Sequence, residues 1–335
     1  MMRKCILVPK RDGERVRAEL ISKGILDAGR KIGFDDRFLL MPILTDKYEG
    51  YEVTEADLEH QEHIPTDYRE LLDIQEEFKQ ELPTSFDVIG DVAIIKLPDE
   101  VMRFKHQIGE AMMSVNRSLR TVMMDSGVKG DFRIRELERI AGEGGSETIH
   151  KEFGVRMITD PSKVYFNPRL ATERSRIASL VKEGEIIIDM FAGVAPFGLV
   201  ISKTSRPGVV YSIDLNPDAE GFVRRNMELN HIENIVPITG NAREMIKVLP
   251  EADRVIMNLP QIADEFLTDA LSGTKINGMI HLHKVIERSE LEHFEEKMMK
   301  DAVSSGYEIS IDNITELKTY SPTMSVYVFD IRKVK

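Results

Sequence analysis

Residues 186–198, Ile-Ile-Ile-Asp-Met-Phe-Ala-Gly-Val-Ala-Pro-Phe-Gly, constrain the fold more than any other stretch. Ile186 to Ile188 are a β-branched run with no polar alternation, the pattern of a parallel strand buried on both faces. Asp189 ends the run, a loop of small residues (Ala192, Gly193, Ala195) follows, and Pro196 suits the first turn of a helix. Strand, acid, small-residue loop and helix in that order bring bare backbone N–H groups and a helix N-terminus up to a nucleotide-like ligand. A βαβ turn with no ligand is the plainer alternative.

Two cofactor classes compete for such a loop. Gly193 to Gly198 nearly fits the dinucleotide fingerprint G-x-G-x-x-G, with Ala195 at the second glycine and Asp214 about 20 residues on. A pyrophosphate, however, needs that second glycine for close approach and would be repelled by Asp189. S-adenosylmethionine carries an ammonium group that an acid at the strand end suits. The next strand, Val209 to Ile213, ends in Asp214, whose carboxylate suits both ribose hydroxyls.

The chain has 335 residues, enough for two or three domains with their own cores. Its 42% hydrophobic and 30% charged content is that of a soluble globular protein. No apolar run approaches membrane-spanning length, and the N-terminal apolar stretch is too short for a signal peptide. One cysteine, Cys5, leaves no disulfide framework or cysteine zinc cluster, so a cytoplasmic location is expected. The net charge of −12 argues, taken alone, against nucleic acid. It is unevenly spread. Thr54 to Glu81 holds ten acids against two bases, whereas Val101 to Arg139 holds eight bases against five acids. A basic RNA-facing patch therefore remains open.

Read in order, the chain divides into four parts. Residues 1–53 form a small α/β unit: strand Cys5 to Val8, helix Glu14 to Lys23, strand Phe38 to Met41. Residues 54–84 are an acidic linker with one charged helix around Tyr68 to Phe78. Residues 85–163 form an RNA-binding α+β unit, with a strand broken at Gly90, a helix Glu100 to Met113 capped by Asp99, and a hairpin about Gly154. Residues 164–335 carry helix Glu173 to Val181 and the Ile186 strand. Further strands lie at Ile235 to Thr239, Arg254 to Met257 and Met279 to His283. Tyr307 to Leu317 and Ser325 to Ile331, with no helix between them, make an edge hairpin. The fold class is α/β: a class I (Rossmann-like) methyltransferase domain with two smaller N-terminal α/β or α+β domains.

Asn258-Leu-Pro-Gln261 follows the fourth strand, at the edge where open α/β sheets bind ligands. An Asn beside Pro can aim its amide at a flat nitrogen heterocycle, as in the N-P-P-Y loops of amino-group methyltransferases. Leu259 and Gln261 depart from that pattern and count against exocyclic amine methylation. A turn that merely ends the strand is the alternative. Asn241, after the third strand, suits either an adenine amino group or a helix N-cap.

The segments Phe132-Arg-Ile-Arg-Glu-Leu-Glu138, Thr148-Ile-His-Lys-Glu152, Lys163-Val-Tyr-Phe-Asn-Pro-Arg169, Glu173-Arg174, Asp189-Met-Phe-Ala-Gly193, Ile213-Asp214 and Asn258-Leu-Pro260 together resemble the archaeal and eukaryal tRNA (guanine-37 N1)-methyltransferases. The likeness covers nearly the whole chain. It implies a first domain that touches the outer corner of tRNA, a second that helps hold the anticodon arm, and a third that binds S-adenosylmethionine. It implies Glu173 and Arg133 as catalytic residues, with Arg133, Tyr165 and Asn258 on the guanine, and Pro260 is expected beside them. Cofactor contacts implied by the resemblance fall on Arg174, Phe191, Asp214, Asn241, Ala242 and Asn258; the strand-end and loop reading adds Asp189 and Gly193, and no metal is expected. Ala195 and Asn241 stand where Gly and Asp are usual.

The chemistry is coherent on its own terms. Guanine N1 must lose a proton to become a nucleophile, and Glu173 is a carboxylate suited to take it. Charge then grows toward O6, where the Arg133 guanidinium suits it. Tyr165 suits stacking on a base drawn out of its loop. By residue type alone, Glu173 and Arg174 are also ordinary first-turn helix residues. The expected partner is tRNA, not DNA or a membrane, and the expected state a monomer. Competing readings are a wyosine-pathway transferase acting on a modified form of the same nucleotide, a non-catalytic tRNA-binding protein and, last, an NAD-dependent oxidoreductase.

Overall fold

The computed structural model describes residues 2–335 other than His63, Asp131, Arg133 and the side chain of Lys129. The chain forms two compact units, Met1–Glu70 and Leu71–Lys335. In the first, β1 (Met2–Pro9), α1 (Gly13–Ser22), β2 (Gly33–Phe34), β3 (Phe38–Pro42) and β4 (Val53–Asp57) build an antiparallel sheet in the order β2-β3-β1-β4. Ile6 and Val8 of β1 meet Val16 and Leu20 of α1 over Met41 and Ile43, a core complete within this unit.

Here the expected boundary moves. Residues 54–57 are not linker: β4 pairs with β1 from Ile6↔Val53 to Met2↔Asp57. Their acids decorate an edge strand, where charge discourages pairing with another chain. The acidic segment 54–84 is thus divided between the two units. The single helix expected over residues 68–78 is a 3-10 turn, Tyr68–Leu71, followed by the short α2 (Glu76–Gln80).

In the second unit, β5 (Asp87–Ile89) and β6 (Val92–Ile95) turn at Gly90. A 3-10 stretch, Asp99–Phe104, leads into α3 (Lys105–Val115), so Asp99 begins the 3-10 stretch instead of capping the helix. β7 (Thr121–Lys129) and β8 (Ile134–Gly142) complete a four-stranded sheet in the order β5-β6-β7-β8. The expected hairpin is present as β9 (Thr148–Glu152) and β10 (Val155–Thr159), turning through Phe153 and Gly154, both with positive φ.

The remaining elements are α4 (Ala171–Leu180), β11 (Ile186–Asp189), α5 (Pro196–Thr204), β12 (Val209–Asp214), α6 (Pro217–Asn230), β13 (Ile235–Thr239), α7 (Ala242–Met245), β14 (Ala252–Met257), α8 (Leu267–Ser272), β15 (Thr274–Glu287), α9 (Leu291–Ser304), β16 (Ile309–Thr319) and β17 (Met324–Lys333). They form a seven-stranded sheet, β13-β12-β11-β14-β15-β17-β16, parallel through β15 and closed by the antiparallel β16–β17 hairpin. This is the class I methyltransferase arrangement expected from the pattern. Ile187 and Ile188 are fully buried because α-helical layers cover both faces of the central strand.

The boundary expected at residue 163 also moves, because the β9–β10 hairpin is bonded to α6. Asn226 accepts from the Ile158 N–H at 2.6 Å and donates to its carbonyl at 3.0 Å. Asn230 repeats this at Arg156, at 2.9 and 2.6 Å. Four residues of helix and two of strand both advance about 6–7 Å, so the two amides imitate a neighbouring strand. Replacing Asn226 by Ala leaves a buried N–H and a carbonyl short of partners and is predicted to cost about 2–4 kcal/mol in equilibrium urea unfolding. Wild-type stability in that variant would mean that packing alone holds the hairpin.

Candidate active site

The site grows from the end of β11. Asp189 is fully buried; one carboxylate oxygen accepts from the Phe191 N–H at 3.4 Å and the other has no partner among the described residues. Burial, with the nearby Asp214 charge, pushes its pKa up to about 7. Gly193 follows at φ +54, and a Cβ there would lie 2.8 Å from the Tyr165 carbonyl, so only glycine fits. Its N–H donates to Asp214 at 2.6 Å, and the other Asp214 oxygen accepts from the Asn216 N–H at 2.9 Å. Ala195, at φ 59, adopts the left-handed conformation as N-cap of α5, with Pro196 in its first turn. That conformation costs an L-residue roughly 1–2 kcal/mol, a cost that glycine would avoid.

These loops enclose a cavity of about 370 Å³, within the range of small-molecule sites. It brings together nine of the residues expected from the sequence: Tyr165, Arg174, Phe191, Gly193, Asp214, Asn241, Ala242, Asn258 and Pro260. Phe191 meets Phe266 edge-on at 5.0 Å, giving the wall beside Asn241 and Ala242 an apolar, aromatic character. Asn241 is an N-cap, accepting from the Arg243 N–H at 3.0 Å, and also lines the cavity. Arg174 is 1% exposed and rests over Phe166. Its Nε and Nη2 reach the two oxygens of Glu152 at 2.5 and 2.6 Å, and Nη1 donates to the Asn167 carbonyl. Glu152 was not expected as a site residue, although it ends one of the motif segments; an acid closing a half-buried strand was the available signal.

Two expected residues lie elsewhere. Asp189 sits beneath the cavity floor and does not line it. Glu173 is 3% exposed and likewise does not line it; Arg176 holds both of its oxygens, at 2.7 and 2.8 Å. An i, i+3 arginine one turn on was the signal for that pairing. Arg176 continues to both oxygens of Asp330, Asp330 to His281, and His281 to Arg254, which pairs with Glu185. His283 lies 3.7 Å from Glu173 and packs edge-on against Phe197, a cavity residue. Burial lifts the Glu173 carboxyl above its usual range even beside Arg176, while burial and the neighbouring His281 push His283 down to about 3. Arg133, the other expected catalytic residue, lies outside the described residues.

Asp189 yields a stability test. Its folded pKa of about 7 exceeds the ordinary aspartate value of 3.8, so between those values the folded state keeps a proton that the unfolded chain releases. The stabilisation is complete below about pH 4 and is lost as the pH rises through 7. Relative to an Asp189→Asn variant, the wild type is predicted to lose on the order of 3–4 kcal/mol between about pH 4 and 8 in urea melts. A pH-independent difference would exclude the buried neutral carboxyl.

The comparisons with known proteins agree with this geometry. Residues 148–310 match the TRM5/TYW2 methyltransferase domain, residues 68–145 the TYW2 N-terminal domain and residues 5–52 the tRNA methyltransferase 5 N-terminal domain. The chain is 40% identical to the tRNA (guanine(37)-N(1))-methyltransferase Trm5b of Pyrococcus abyssi over 98% of both chains. The crystal structure of Trm5b from that organism superposes with a TM-score of 0.83 at 38% identity, covering 99% of this chain and 100% of that one. A structure of aTrm5 in complex with tRNALeu gives 0.72 at 32% identity, and Methanocaldococcus jannaschii Trm5 in complex with adenosine gives 0.69 at 30%, each covering 99% of both chains. The chain belongs to the Trm5 family of tRNA (guanine-37 N1)-methyltransferases.

Proposed function

We propose that this chain transfers a methyl group from S-adenosylmethionine to N1 of guanosine 37 in tRNA, just 3′ of the anticodon. The observation that carries the reading is the single cavity in which Asp214, Asn241 and Ala242 face the same space as Tyr165, Arg174 and Asn258. The residues present fit the cofactor. Asp214 spends one interaction of each oxygen on the backbone and keeps further lone pairs for ribose hydroxyls. Phe191 and Phe266 offer an apolar slot for adenine beside Ala242. When bound, S-adenosylmethionine supplies an electrophilic methyl group.

The protein's part is to hold a flipped guanine and move one proton. Tyr165 is 40% exposed at the cavity mouth, placed to stack on a base drawn out of the anticodon loop. Asn258, after β14, is set to bond its edge. Glu173 takes the N1 proton, and Arg133 stabilises the charge that grows on O6. In the ligand-free protein Glu173 lies behind Phe197 and His283, bound to Arg176, so productive contact requires that layer to shift when the guanine enters. The cavity lies wholly within residues 71–335, which supports action as a monomer. Among the described residues no helix is long and apolar enough to cross a membrane. We place the reaction in the cytoplasm, on tRNA and not DNA.

Incubation with unmodified tRNA and S-adenosylmethionine, followed by nucleoside mass spectrometry, is predicted to yield 1-methylguanosine. A wyosine-type product formed only on premodified tRNA would favour the runner-up, and binding without transfer a non-catalytic role. Asp214→Asn is predicted to weaken S-adenosylmethionine binding in calorimetry. Asp214→Ala is expected to be worse and to loosen the Gly193 loop as well, because the carboxylate holds that loop. Unchanged affinity in Asp214→Asn would remove Asp214 from the cofactor site.

Glu173→Gln is predicted to cut the single-turnover rate by about 10²–10⁴-fold with little change in either affinity. The wild-type rate is expected to rise with pH through a value above the usual glutamate range, given burial, and the Gln variant to lack that rise. A wild-type rate in Glu173→Gln at saturating tRNA would exclude Glu173 as the base.

A further inference from the structure

The face of the β9–β10 hairpin turned away from the cavity lines a second, open groove of about 780 Å³. Four cations border it: Arg120, Lys151, Arg156 and Arg225. Two of them have local work. Arg120 is engaged by Asp91 and by the carbonyls of Glu143, Gly145 and Glu147, and Arg225 is paired with Glu147 at 2.7 Å. Lys151 and Arg156 differ. They are exposed, stand directly opposite each other across the hairpin, and have no ion-pair partner among the described residues. Like charges directly opposite in an antiparallel pair are destabilising. The two acids of the groove, Asp91 and Glu147, are each neutralised by an arginine, so the pair is an uncompensated local excess of positive charge in a chain of net −12.

We propose that this groove seats the phosphodiester backbone of the tRNA substrate, with Lys151 and Arg156 as its phosphate contacts. The inference rests on the tRNA reading above and adds to it a surface outside the cavity. Three features favour a polyanion over a single phosphate. The groove is open, its cations come from separate segments of the chain, and exposed Ile149 lines it beside them.

Position supports the same partner. His150, which also borders the groove, packs 5.1 Å from Phe166, and Glu152 holds Arg174; Phe166 and Arg174 line the cavity. A backbone in the groove thus runs one hairpin's thickness from the cavity that takes its base. The hairpin is firmly placed for this. At Gly90 a Cβ would lie 2.2 Å from the Thr148 hydroxyl, and Thr148 bonds Asp91 at 2.7 Å.

The test uses the full chain and unmodified tRNA. Lys151→Glu, Arg156→Gln and the double variant are compared with wild type for tRNA affinity at several salt concentrations. Each lost phosphate contact is expected to flatten the log–log salt slope by about 1 and to weaken binding about fivefold near 0.15 M salt. S-adenosylmethionine affinity, measured by calorimetry, stays at the wild-type value because neither residue touches the cavity.

Lys151→Glu separates folding from binding. It sets opposite charges across the strand pair, so its melting temperature holds or rises while tRNA affinity falls. Wild-type affinity and salt slope in all three variants, from a protein that methylates tRNA, would overturn the groove and leave the function standing. A wild type that neither binds nor methylates tRNA would overturn both.

Discussion

The Asp214 carboxylate, accepting the Gly193 N–H at 2.6 Å and the Asn216 N–H at 2.9 Å, ties together the ends of β11 and β12. Everything in the cavity is placed relative to that tie. Parallel strands leave their backbone groups unpaired at the carboxyl edge, and a carboxylate there closes two of them at once. The cost is a largely buried charge, and burial lifts the Asp214 pKa above its normal range. A ligand that offers hydroxyl donors to the remaining lone pairs relieves part of that cost. The same interaction that shapes the site therefore leaves acceptors in it for a ligand with hydroxyl groups.

Below the cavity the protein does something different with charge. Glu173, Arg176, Asp330, His281, Arg254 and Glu185 form one connected set spanning α4, β17, β15, β14 and the approach to β11. Buried ion pairs add little net stability when complete, but removing one member costs about 3–5 kcal/mol. Such a set fixes geometry more than it stabilises. It sets α4 against the antiparallel end of the sheet and pairs Glu173 with Arg176 in a place where burial lifts the carboxyl above its usual range.

What the sequence made legible follows from how local each signal is. The Ile186–Ile188 run, the Gly193 loop and the Asp214 strand end are decided by neighbours in the chain, and each stands where expected. The β16–β17 hairpin was readable because no helix intervenes. The domain edges were not readable, because they depend on distant partners. Val53–Asp57 looks like part of an acidic linker until β1 pairs with it, and the β9–β10 hairpin joins the core of the large sheet through Val155 and Met157 and through bonds to Asn226 and Asn230, some 70 residues on. Glu152 was missed for the same reason, 22 residues before the Arg174 it holds, whereas Arg176 carried a local i, i+3 signal toward Glu173.

The β9–β10 hairpin joins these observations. Its residues alternate with period two, so His150 and Glu152 face Phe166 and Arg174 while Ile149 and Lys151 face away. One short strand thus carries residues that hold the cavity wall from behind and, at the next position, a surface cation. A one-residue slip would exchange the two sets, setting the lysine against the buried arginine and the glutamate in the groove. The asparagine brackets on α6 and the bond from Thr148 to Asp91 prevent that slip from both sides. Register, usually a question of core burial alone, is here also what keeps a basic surface and a neutralised cavity cation on opposite faces of the same few residues.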